Sequence, residues 1–148
     1  MPDVSASIEI ARPPEAVWTV IDEVERHAEW QEDLVSVRRE TEGPIVVGSR
    51  AVEVRTVPGG KQQESRWEVT QHDAPRAMVF QVIDGPIRVT GKVRLEPVGD
   101  GSSTKLTVDL DFTGHGFGKL VVGLARSHAR KQAPKDQANL KRIVESSG

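Results

Sequence analysis

The sequence has no cysteine and no tyrosine, and its aromatic rings are limited to three tryptophans and three phenylalanines. Without thiols there is no disulfide framework, no thiolate nucleophile and no sulfur ligand for a metal. Without tyrosine there is no phenol to serve as a proton or oxyanion donor. No apolar run approaches the roughly 18 residues of a membrane-spanning helix, and the N-terminus lacks a basic-then-apolar leader pattern. A cytoplasmic protein with no integral membrane association is therefore expected. Positive charge is not in excess either: a net charge of −2 argues against a general nucleic-acid binder. The four histidines, at 27, 72, 115 and 128, show no paired spacing, so neither a metal nor another cofactor is expected.

The chain has 148 residues, the size of one domain (1–148) able to bury a real core, and most of it alternates. Val4 to Ala11 sets Val4, Ala6, Ile8 and Ile10 against Ser5, Ser7 and Glu9, the pattern of a half-buried strand. Arg12-Pro13-Pro14-Glu15 then opens a short helix, with proline suited to the first turn and Glu15 to the positive end of the dipole. Val17, Ile21 and Val24 recur at helical spacing beside Trp18, which reads as core. A second short helical piece, Glu25 to Trp30, carries His27.

From Leu34 onward the period is two. Val35 and Val37, Val52 and Val54, Trp67 and Val69, and Met78, Phe80 and Val82 mark successive strands between turns at Gly43-Pro44, Pro58-Gly59-Gly60, Asp73-Ala74-Pro75 and Asp84-Gly85-Pro86. Ile87, Val89, Gly91, Val93 and Leu95 form the cleanest strand, and Leu106 to Phe112 follow after Gly99-Asp100-Gly101. One apolar and one polar face per strand predicts an antiparallel sheet covered on one side. Asp109 and Asp111 fall on the wet face. Arg39 points inward by parity, a costly position unless it is paired.

The longest helical reading runs from Lys119 to Glu145, about 40 Å at 1.5 Å per residue. At 100° per residue Val121, Leu124, Ala125, His128 and Gln132 share one face, while Lys119, Arg126 and Arg130 point away. Pro134 predicts a kink near residues 130–134, and Leu140, Ile143 and Val144 make a second stripe beyond it. One half is thus expected to close a cavity and the other to pack on the sheet edge. This segment holds seven Lys/Arg against two Asp/Glu, leaving about −7 on the remainder. Such an excess suits a solvated outer face, an acidic partner or an anionic membrane surface. The Gly114-His115-Gly116-Phe117-Gly118 loop before it fits neither phosphate-binding pattern. The dinucleotide fingerprint needs glycine where Lys119 stands, and the GK[ST] ending of the nucleotide-binding loop is missing. A hinge or tight turn, with Phe117 as a gate, is the expectation.

The order strand, two short helices, six strands, long helix resembles the START-like (SRPBCC) superfamily. The resemblance is carried by Ile10-Ala11-Arg12-Pro13-Pro14-Glu15-Ala16-Val17-Trp18, Glu25-Arg26-His27-Ala28-Glu29-Trp30, Gly99-Asp100-Gly101 and Asn139-Leu140-Lys141. The branch it looks most like is the polyketide cyclase/dehydrase and lipid-transport group. Where that family often has a proline shortly after the tryptophan matching Trp30, this chain has Gln31-Glu32. The resemblance implies an α+β helix-grip fold, a curved seven-stranded antiparallel sheet with two short helices and a long C-terminal helix. It also implies a small, largely apolar ligand, aromatic or lipid-like, held between sheet and helix.

Alternation and helical phase nominate the lining: Trp30, Ser65, Trp67, Phe80, Val89, Phe117, Leu124, His128 and Gln132, with Gln63 and Gly91 nearby. His128 is the candidate acid/base or carbonyl-orienting group, against a core histidine bonded to Ser65 or a backbone carbonyl. Trp67 suits a ring-shaped ligand or plain core packing; Trp30 suits an anchor or an entrance wall. Ser65 has no neighbouring base and no nucleophile elbow. Two alternatives to a carrier stand. One is a polyketide cyclase or dehydratase working through His128; the other is a protein-interaction module using the basic C-terminal helix.

Overall fold

The computed structural model describes residues 1–147. In chain order it contains β1 (Val4–Ile10), α1 (Pro14–Asp22), a 3₁₀ turn (Val24–Glu29), β2 (Leu34–Arg39), β3 (Arg50–Thr56), β4 (Gln62–Asp73), β5 (Ala77–Val82), β6 (Ile87–Val98), β7 (Ser103–Gly114) and α2 (Gly118–Ser146). The strands form one curled antiparallel sheet in the order β1-β7-β6-β5-β4-β3-β2, so only β1 is out of sequence, on the far edge. Short turns explain the meander: each β-turn glycine with positive φ, such as Gly99 and Gly101 between β6 and β7, sits where an L side chain would be strained. α1 begins as its prolines dictate, with Pro13 extended at the cap, Pro14 in the first turn and Glu15 beside it.

Register assigns the concave face. Ile8 lies opposite Leu106, Leu106 opposite Leu95, and Val108 opposite Val93; across the sheet Val93 meets Met78 and Trp67 meets Val82. With Val17, Trp18 and Ile21 of α1 and Leu140 and Val144 of α2, these residues make one continuous core. Burial of such side chains stabilises the fold by about 1.5–3 kcal/mol each relative to exposure.

The sheet departs from a purely apolar inner face at β3. Ala51, Glu53 and Arg55 point inward, opposite Trp67, Ser65 and Gln63, while Val52 and Val54 take the convex side. Glu53 is buried, with 7% exposure, and Arg55 Nε reaches its Oε1 at 2.9 Å. The reversal is possible because two opposite charges two residues apart share a strand face and neutralise each other there. Arg39 is inward too, paired with Ala51; its Nη2 donates to Gly43 O at 2.5 Å and its Nε is buried without a partner among the described residues.

α2 is one uninterrupted helix with Pro134 inside it. It packs along β1 and β7: Gln137 Nε2 donates to Ala6 O (2.9 Å), Lys141 Nζ to Glu9 O (2.7 Å), and Arg126 Nη2 to Phe112 O (3.0 Å). The buried and half-buried series Val122, Ala125, Ala129, Ala133, Gln137, Leu140 and Val144 faces the sheet. This corrects the expected face. Leu124 (57% exposed) and Val121 lie outward, and Phe117 (69%) stands clear of the core. The small residues at 125, 129 and 133 win the inner side because they allow the helix to lie close, a preference that an apolar count does not register.

Candidate functional site

α2 begins at one end of the sheet. At that end lie the turns β3–β4, β5–β6 and β7–α2, together with the segment leading into β2. The β7–α2 turn is held by close approach rather than by flexibility. A Cβ on Gly118 would come within 2.0 Å of Pro86 O, and one on Gly114 within 2.6 Å of the Gly118 backbone. The glycines are needed to seat the helix start against the β5–β6 turn, which accounts for the loop without a phosphate.

Under the first half of α2 the concave face is only half covered. Ile87, Val89, Leu110 and Phe112 are half-buried there, with Val89 opposite Phe112 and Gly91 opposite Leu110. Phe80 lies over Gly91, whose absent Cβ would meet the phenyl ring at 2.2 Å, and the Trp67 ring stands 6.1 Å from it at 59°. Gly91 is thus the space that receives Phe80. Ser65 and Gln63 continue the wall toward β3, opposite Glu53 and Arg55. Arg55 also donates to Gln31 Oε1, so its guanidinium joins the groove's polar wall to the segment after Trp30. One side of this concave surface is therefore aromatic and aliphatic, the other ionic.

The helix is stitched to that segment by three contacts. His128 Nε2 lies 2.5 Å from Asp33 Oδ2; Asp136 Oδ1 accepts from Glu32 N at 3.2 Å and from Gln132 Nε2 at 2.9 Å; Asn139 Nδ2 donates to Trp30 O at 3.3 Å. Burial pushes the Asp136 carboxyl up from its ordinary range, against the pull of the Gln132 and Glu32 bonds. His128 thus has neither a Ser65 nor a carbonyl partner but a carboxylate 95 residues away, at the rim of the groove. A histidine bonded to a carboxylate is oriented and can pass a proton at its other nitrogen.

The nominated residues divide accordingly. Trp67, Phe80, Val89 and Ser65 share the concave wall, His128 and Gln132 form its rim, and Trp30 is half-buried behind the rim with its ring 5.2 Å from His27. The Trp30 indole Nε1 is buried without a partner among the described residues. Phe117 and Leu124 are not brought to the wall. Sequence reasoning misses Asp33, Gln31, Glu53 and Arg55. For Glu53 and Arg55 a signal exists, an acid and a base two apart in a strand, whereas Asp33 sits in a loop with no periodicity.

Two surface depressions lie away from this concave face. One is on the outside of the last turns of α2, by Ala138, Lys141 and Arg142, and the other lies between α1 and the end of α2, by Ala16, Glu23 and Val144. Among the described residues no group of three or more His, Asp or Glu side chains is arranged to hold a metal ion, and no helix is long and apolar enough to cross a membrane.

The fold recurs in solved structures. A protein of Thermus thermophilus is 22% identical, with 98% of each chain covered and a TM-score of 0.76. The Zhui aromatase/cyclase from a Streptomyces species is 17% identical over 97% of this chain and 91% of that one, with a TM-score of 0.74. A START superfamily protein from Mycobacterium smegmatis is 16% identical over 91% and 97%, with a TM-score of 0.66. At these identities the likeness is one of fold. No curated protein matches the sequence. The family model described as polyketide cyclase/dehydrase and lipid transport, by contrast, matches residues 1–145. With its helix-grip architecture and that match over nearly the whole chain, the protein belongs to the polyketide cyclase/dehydrase and lipid-transport family of the START-like (SRPBCC) superfamily.

Proposed function

We propose that this protein binds a small, largely apolar molecule, aromatic or lipid-like, in the groove between the concave sheet and the first half of α2. The observation that carries the reading is the half-covered wall of Phe80, Val89 and Phe112 beside Trp67, with polar groups confined to its β3 edge and its rim. A concave apolar surface with a few fixed polar groups suits a ligand with a hydrocarbon or ring body and one oxygen-bearing end. Trp67 supplies a flat wall and His128 a donor or acceptor for that end.

Organic extraction of the purified protein followed by mass spectrometry tests this. A co-purifying apolar compound is expected. Val89→Asp should abolish its retention, and His128→Ala should weaken it no more than about tenfold, the worth of one hydrogen bond of about 1–1.5 kcal/mol. An empty extract, together with no binding of fluorescent fatty-acid or naphthalene probes, would remove the reading.

The His128–Asp33 pair favours a second reading, an aromatase- or cyclase-type reaction in the same groove, in keeping with the activity named for the Streptomyces neighbour. Here His128 would move the proton and Asp33 would hold the imidazole. Turnover of a poly-β-ketone substrate, lost in His128→Ala and depressed in Asp33→Asn, is the expected result; unchanged turnover in both variants would discard it.

A further inference from the structure

The outward face of α2 changes character along its length. Phe117, Leu120 and Leu124 are 69%, 87% and 57% exposed at its start, with Val121 beside them. Farther along the same sector come Lys131, Lys135 and Arg142, all exposed or half-exposed. At 100° per residue these positions fall within a wedge of about 60°, with Val121 about 40° outside it. Glu145 borders the sector at its far end, about 20° outside it, and is already engaged by Ala11 N (2.8 Å) and Lys141 Nζ (2.9 Å). We propose that this face is a docking surface for an anionic lipid bilayer, with the first two turns of α2 entering the headgroup boundary and the cations lying along the phosphates.

Charge selects this occupant. The helix carries a surplus of cations while the rest of the chain is net negative, so an anionic surface attracts the helix and turns the remainder away. A second copy of the chain fits less well. Four exposed apolar side chains are far fewer than the roughly 20–30 residues a side of a stable interface, and the stripe continues into like charges. Exposed apolar residues at one end and cations along the remainder are what an interfacial helix requires. The proposal holds whatever lies between α2 and the sheet.

The test is co-sedimentation of the full chain with phosphatidylcholine vesicles containing about 30% phosphatidylserine, and with vesicles of phosphatidylcholine alone. Binding is expected to the first and to be at least tenfold weaker to the second. Leu120→Glu combined with Phe117→Glu should abolish it. Lys131→Glu and Lys135→Glu should each lower it about fivefold or more, since a cation near the surface is worth about 1 kcal/mol. All four positions are exposed, so thermal melts should match the parent. Three results overturn the proposal: no sedimentation with the serine-containing vesicles, sedimentation unaffected by the tip substitutions, or a dimer in analytical ultracentrifugation that dissociates in Leu120→Glu. The last would assign the face to a second copy.

Discussion

The two halves of α2 share one helix and are built for different ends. Residues 133–146 bury Gln137, Leu140 and Val144 against β1 and the core and are tied to the Trp30 segment by Asn139 and Asp136. Residues 118–131 bury only Gly118, place alanines inward, and leave their leucines to solvent. Helix formation here is therefore a property of one half, propagated into the other: nucleation is costly and extension is cheap. The halves meet at His128, where the helix makes its first bond to the loop before β2. The second half is anchored in the core, whereas the first is held through Gly118, Arg126 and His128.

The largest expected contrast lies in truncating one leucine in each half. Leu140→Ala, at 1% exposure, should cost about 2–5 kcal/mol, the range for a buried leucine. Leu124→Ala should stay within about 0.5 kcal/mol. Urea melts of the two variants measure this directly. Comparable losses would mean that the first half packs as firmly as the second, and the distinction would fail.

Gly118→Ala comes next. The added methyl must displace Pro86 O, and overpacking of this kind costs about 1–3 kcal/mol, only partly offset by the better helix propensity of alanine. Because Gly118 is the buried foothold of the first half, limited proteolysis should open residues 118–127 before any other part of α2. A variant as stable and as protected as the parent would show that the turn has slack.

Much of this arrangement is legible in the sequence because period-two alternation survives wherever a strand has one wet face. β6 and β7 are read correctly from Ile87 to Phe112, and the helix bounds differ by one residue at each end. The misreadings occur where that logic is suspended. In β3, valines at 52 and 54 look inward-facing, but the Glu53–Arg55 pair takes the concave side and the valines go out. On α2, Val121 and Leu124 outweigh alanines on a hydropathy plot although the alanines are the ones that let the helix approach. The Asp33 partner of His128 is invisible to such a reading because loop residues carry no period and the contact joins residues far apart in the chain. Pro134, where the sequence predicts a kink, lies inside a helix that runs on to Ser146.

His128→Ala and Asp33→Asn sharpen the boundary between the halves. The pair is partly solvated, with side chains 39% and 25% exposed, so its contribution to stability is expected to be below about 1 kcal/mol after solvent screening. Its loss should instead raise hydrogen exchange selectively in residues 122–131, where the helix has no other bond to the β2 loop among the described residues. Uniform exchange along α2 in both variants would place the boundary elsewhere.

The smallest effect concerns acid. His27 supports the Trp30 segment to which the second half is tied: its Nε2 lies 2.7 Å from Ile21 O, and its ring packs on Trp30. Burial lowers its pKa from the ordinary 6.5, opposed by the Ile21 carbonyl, so the folded protein takes up this proton less readily than the unfolded chain. Between the lowered value and 6.5 the unfolded state binds more protons, and stability must fall as pH drops. The contribution is whole above pH 6.5 and diminishes below it. Asp136 acts with the opposite sign, since its raised pKa lets the folded state bind a proton first. Urea midpoints measured from about pH 7.5 to about 5 should therefore decline in the parent and decline less in His27→Gln, which keeps an N–H donor. Exchange should rise over 133–146 in the parent and not in His27→Gln, because Asp136 and Asn139 tie that half to the segment His27 supports; an identical slope in the two proteins would show that the anchor does not depend on this ring.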